Sequence, residues 1–94
     1  MKTIRRYHLQ PTKTQIVQLP AGSEILSVQA KGDDSPVLWA LVDPELDDQE
    51  RTVTLYATAT EMPDTPGRYC GSFQLYDGTL EFHAFESGTT DNQE

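Results

Sequence analysis

Helical periodicity is missing from this chain: no stretch of useful length repeats apolar residues every three to four positions. Cysteine is nearly absent. Cys70 stands alone, so no internal disulfide can form, and a reducing bacterial cytoplasm suits the chain better than secretion. Two histidines, His8 and His83, share no ligand spacing with that thiol, which argues against a metal centre. Neither a Walker loop nor GxGxxG occurs, and Gly22 and Gly32 are isolated turn glycines, so no cofactor is expected. No apolar run approaches about 18 residues, which argues against a membrane-spanning helix. The basic start, Met1 to Arg6, is not followed by the apolar segment of a signal peptide. Cations are scarce: 7 Lys+Arg oppose 15 Asp+Glu, a net charge of -8. That balance argues against direct binding to nucleic-acid phosphates and favours a partner with a basic surface.

What remains is alternation with period two. The chain has 94 residues, enough for one small domain that buries roughly 60–65% of its unfolded surface. Residues 3–9 and 14–19 are short strand candidates parted by Gln10-Pro11-Thr12, and Pro20 to Ser23 forms the next turn. Residues 24–30 place Leu26, Val28 and Ala30 on one face. "PVLWALVDP" (36–44) is apolar on both faces, with Val37, Trp39 and Leu41 opposite Leu38, Ala40 and Val42. Such a strand is expected to be central and covered on both sides, with Pro36 and Pro44 bracketing it. Residues 52–60 turn Val53, Leu55, Ala57 and Ala59 one way and Thr52, Thr54, Tyr56, Thr58 and Thr60 the other.

"SFQLYDGTLEFHAF" (72–85) predicts a hairpin about Asp77-Gly78, residues that accept the positive φ of a type I′ turn. The turn sets the register: Leu75 faces Leu80, Gln74 faces Glu81, Phe73 faces Phe82 and Ser72 faces His83. Continued, it pairs Gly71 with Ala84 and Cys70 with Phe85, and Gly71 marks a bulge or a close approach. The fold expected is all-β: one antiparallel sandwich or small barrel of about six or seven strands over residues 1–86, followed by a flexible polar tail at 87–94. Trp39, Leu41, Val53, Leu55, Phe73, Leu75, Leu80 and Phe82 supply much of the expected core.

"MKTI-x-x-Y" at the start, "LPAGSEILSVQ" (19–29), "LWALVDP" (38–44), "GSFQL" (71–75) and "EFHAFE" (81–86) together resemble a family of small proteins of tailed phages and prophages whose domain has no known function. The resemblance covers roughly residues 1–86, outside the 61–67 loop. It implies a phage or prophage product working in the bacterial cytoplasm, and it brings no catalytic residues with it. Small phage accessory proteins often bind and block host factors, defence systems among them.

Ser72, His83 and Glu81 share the polar face of the hairpin. Glu81 lies beside His83 on one strand, whereas a catalytic triad needs its third member behind the imidazole. No strained nucleophile elbow accompanies them, so a non-enzymatic reading is favoured. Cys70 reads as a packing residue, with no positive surroundings to activate it. The acidic run 43–50 contains Asp43, Glu45, Asp47, Asp48 and Glu50 and lacks the spacing of a calcium loop. It is expected to be an exposed loop, with room for one helical turn. Its carboxylates suit a basic host macromolecule, as a phosphate mimic. The alternative is a sponge for a small nucleotide-like ligand, held by Arg5, Arg6, Tyr7 and His8, the one basic-aromatic cluster. On a strand, Arg6 and His8 share a face with Ile4, and Arg5 shares the other with Tyr7 and Leu9. Mixed faces of this kind fit an edge strand or a protein interface, homo-oligomers included.

Overall fold

The computed structural model describes residues 1–32 and 34–87; the tail expected at 87–94 lies outside them from residue 88 on. Among these residues seven strands form: β1 (Thr3–His8), β2 (Thr14–Pro20), β3 (Glu24–Lys31), β4 (Ser35–Val42), β5 (Asp48–Ala57), β6 (Arg68–Leu75) and β7 (Leu80–Glu86). They build two antiparallel sheets, ordered β1-β4-β3 and β2-β5-β7-β6. The sheets pack face to face as a sandwich and do not close into a barrel. The core lies between them. Ile25, Val28, Leu38, Ala40 and Val42 meet Leu19, Val53, Leu55, Phe73, Leu75 and Ala84. Each fully buried aliphatic chain contributes about 1.5–3 kcal/mol before entropy is subtracted.

Several expected inward positions differ. β4 is central in its sheet, yet its outer face is only partly covered: Val37 there is fully buried. Leu38, Ala40 and Val42 enter the core, while Trp39 and Leu41 are half-buried on the outer face. Among the described residues the strands form two sheets, and no third sheet lies over that face. In β3 a bulge between Ile25 and Ser27 resets the alternation. It turns Ile25 and Val28 inward and leaves Leu26 exposed. Leu80, next to the hairpin turn, is 40% exposed. The segment 43–50 is not one loop: a turn closes at 43–46, where the Leu46 amide donates to the Asp43 carbonyl at 3.1 Å, and β5 begins at Asp48. Pro36 lies inside β4, facing Ala30, rather than before the strand.

The hairpin keeps the expected register: Ser72, Phe73, Gln74 and Leu75 face His83, Phe82, Glu81 and Leu80. Asp77 (φ 56°) and Gly78 (φ 84°) occupy the turn, and Tyr76 also adopts positive φ (55°). The Tyr76 amide donates to Asp34 Oδ1 at 2.7 Å, which ties the turn to the β3–β4 connection. Gly71 combines both expected roles. A bulge lies between Tyr69 and Gly71, so Tyr69 rather than Cys70 faces Phe85. At φ 150° a Cβ on Gly71 would meet the Val28 carbonyl oxygen at 2.7 Å. Glycine thus lets the edges of β3 and β6 close one flank of the sandwich.

Candidate functional site

The outer face of β5, β7 and β6 carries three rungs of side chains. Thr54, Phe85 and Tyr69 form one; Tyr56, His83 and Ser72 the next. Thr58 follows β5 directly, and its amide donates to the Glu81 carbonyl at 3.1 Å. With Glu81 and Gln74 it makes the third rung. Phe85 packs edge-on against both Tyr56 and Tyr69, with ring centres 5.8 and 5.5 Å apart. The polar members bond to one another. Tyr69 OH is 2.6 Å from Ser72 Oγ, and Ser72 Oγ is 2.7 Å from His83 Nδ1. His83 Nε2 is 2.8 Å from Thr58 Oγ1, which lies 3.2 Å from Glu81 Oε1, and Gln74 Nε2 donates to Glu81 Oε2 at 2.9 Å.

Elementary hydrogen-bond accounting fixes the direction of this chain from His83 to Glu81. Ionised Glu81 only accepts, so the Thr58 hydroxyl donates to it. Thr58 oxygen then accepts from His83 Nε2–H. In the neutral imidazole, with its one N–H at Nε2, Nδ1 accepts the Ser72 hydroxyl proton and Ser72 oxygen accepts from Tyr69. The group behind the imidazole, which the hairpin alone does not supply, is therefore Thr58 of a third strand. The alternation at 52–60 signals that Thr58 belongs to a polar face, but not which strand lies beside it. Ser72 can pass a proton to His83, yet Tyr69 occupies the oxygen that a nucleophile would present. An open depression of about 300 Å³ lies over Ser72, Gln74, Glu81 and His83, with Phe73 and Phe82 in its lining.

The acidic residues occupy one end of the sandwich. Asp43 and Glu45 sit in the 43–46 turn, where the Glu45 amide donates to Asp43 Oδ1 at 3.2 Å. The Met1 nitrogen lies 3.4 Å from Glu45 and 3.9 Å from Asp43. Asp47 is exposed, and Asp48 and Glu50 project from β5 beside Pro20 and Gln18 of β2. The basic-aromatic residues divide about β1, as alternation requires. Arg6 and His8 stand on the outer face beside Trp39 and Val37, whereas Arg5 and Tyr7 face Ala40 and Leu38. Tyr7 packs against the core, and its buried hydroxyl has no partner among the described residues.

One charged pair was not singled out by sequence reasoning. Arg51 Nε donates to Glu86 Oε2, and Arg51 Nη1 donates to the Ser23 carbonyl at 3.0 Å. Both side chains are largely buried, at 13% and 8% exposure. Period two does signal them, since Arg51 shares parity with Val53 and Glu86 with Ala84. Cys70 is buried beside this pair; burial first, and the Glu86 carboxylate second, push its thiol up. No group of three His, Cys, Asp or Glu side chains is arranged to hold a metal among the described residues. No helix there is long and apolar enough to cross a membrane.

The whole chain, residues 1–94, matches a domain of unknown function, DUF7352. The protein belongs to this family. The match runs past residue 86 and includes the 61–67 loop, further than the sequence motifs reach. No curated protein and no solved structure matches the chain.

Proposed function

We propose that this DUF7352 protein is a non-enzymatic accessory protein of a phage or prophage that acts in the bacterial cytoplasm. In this reading it binds a host macromolecule through a basic surface of that partner and modulates it, inhibition of a defence factor being one such role. The phage setting is supported by the sequence motifs. The binding mode is supported by one observation above others: Asp47, Asp48 and Glu50 are exposed at one end of the sandwich and form no ion pair among the described residues. Uncompensated carboxylates of this kind, in a chain of net charge -8, attract a basic surface and accelerate encounter.

The tagged protein, used to capture its partner from host lysate, supplies the pair for kinetics. Association should slow steeply with salt, because charges beyond about 8 Å are screened at physiological ionic strength. Asp47→Asn, Asp48→Asn and Glu50→Gln together should slow association more than they speed dissociation. Association rates indifferent to both changes would sink the acidic-end reading. The nucleotide-sponge alternative draws on Arg6 and His8 beside Trp39 on an open sheet face. It expects the opposite pattern: Arg6→Ala weakens binding of the ligand and the triple substitution does not.

A further inference from the structure

We infer that the depression over the β6–β7 hairpin is a receptor for a single ammonium or guanidinium group, supplied by a lysine or arginine side chain of a basic polypeptide. The inference rests on the reading of a basic partner and assigns it a second contact, on a different face from the acidic end.

The chemistry of the occupant follows from what the hydrogen-bond chain leaves over. Tyr69, Ser72, His83 and Thr58 are hydrogen-bonded in sequence, ending at Glu81. His83 directs its Nε2 to Thr58 rather than to Glu81. Glu81 forms no ion pair among the described residues. Its carboxylate offers about four lone-pair sites, of which Thr58 and Gln74 fill two. The depression therefore holds a fixed negative charge with free acceptor capacity. A neutral acceptor or an anion gains nothing there, whereas a cationic donor gains a charge-assisted hydrogen bond. Size points the same way. At about 300 Å³ the depression is at the bottom of the range for small-molecule clefts, roughly 300–1,000 Å³, and suits one side chain better than a nucleotide. Thr58 and Gln74 hold the carboxylate from both sides, so little rotamer freedom is lost when the cation arrives.

The test is a titration of ¹⁵N-labelled full-length protein followed by its amide spectrum. Three probes are compared: a lysine- and arginine-containing tetrapeptide, the matched glutamine tetrapeptide, and spermidine. The basic peptide should shift the Gln74 side-chain amide and the His83 backbone amide to saturation, and the glutamine peptide should not. Glu81→Gln should weaken that response at least tenfold while the spectrum stays dispersed. Glu24→Gln, which removes an exposed carboxylate of β3 outside the depression, should retain it and guards against a general charge effect. The triple substitution of Asp47, Asp48 and Glu50 should leave the hairpin response in place, so failure of the acidic-end reading and failure of this one are separable. Equal responses to the basic and glutamine peptides would overturn the inference, as would an unchanged response in Glu81→Gln. Saturation by spermidine with none by the peptide would overturn the assignment to a polypeptide.

Discussion

Glu81 and Glu86 lie five residues apart on the same strand and serve opposite ends. Odd positions of β7 face outward, so Glu81 stands in solvent between a threonine and a glutamine that donate to it. Even positions face inward, so Glu86 is buried against Arg51. The buried carboxylate is consumed by the fold. Its charge is tolerable only because a guanidinium accompanies it. The exposed carboxylate is held in place but not neutralised, which leaves it available to a partner. Parity in a strand thus separates a structural carboxylate from an interactive one of the same chemistry.

The comparison breaks most visibly at the buried pair. Arg51→Met should cost about 3–5 kcal/mol, because it leaves Glu86 buried without its partner, and thermal unfolding would register the loss as a large drop in Tm. Replacing both residues, as in Arg51→Met with Glu86→Leu, should restore most of that stability, since apolar substitutes of similar volume are often neutral. A double variant as unstable as the single one would mean that the pair contributes more than mutual neutralisation.

Cys70 sharpens the comparison from the side of Glu86. Its thiol is pushed up by burial and by that carboxylate. The folded state therefore holds the thiol proton more tightly than the unfolded chain. The associated stability is complete below the ordinary thiol range, about 8.5, and is lost as pH rises through the raised value. Alkylation of Cys70 at pH 8.5 should be much slower in the native protein than in urea. Glu86→Gln should lower the thiol's pKa and speed alkylation in protein that remains folded. Glu81→Gln should leave the rate unchanged.

The smallest effects belong to the exposed side. Glu81→Gln, Ser72→Ala and His83→Ala should each stay within about 1 kcal/mol of the parent in denaturant unfolding, as surface substitutions do. A loss at Glu81 as large as at Glu86 would erase the distinction between them.

The hairpin was legible because its turn and its alternation agree, and a one-residue slip would have exposed Phe73 and Phe82. The inner face of β4 was not, because a strand apolar on both sides carries no parity signal, and only the number of layers decides between Trp39 and Leu38. The β3 bulge has no marker in "EILSVQAK", so Leu26 and Ile25 changed places. Ser72, His83 and Glu81 could be placed on one face from the sequence alone. Thr58 could not join them there, because that contact depends on β5 lying beside β7, a long-range choice that local alternation does not encode.

The direction of the hydrogen-bond chain is the claim on which the candidate site stands, since it turns the His83 Nε2 proton to Thr58 and leaves Glu81 open. Long-range ¹H–¹⁵N correlation of the His83 ring at neutral pH measures it directly. The account predicts a ring that carries a proton at Nε2, donated to Thr58. A ring protonated at Nδ1 alone would contradict it.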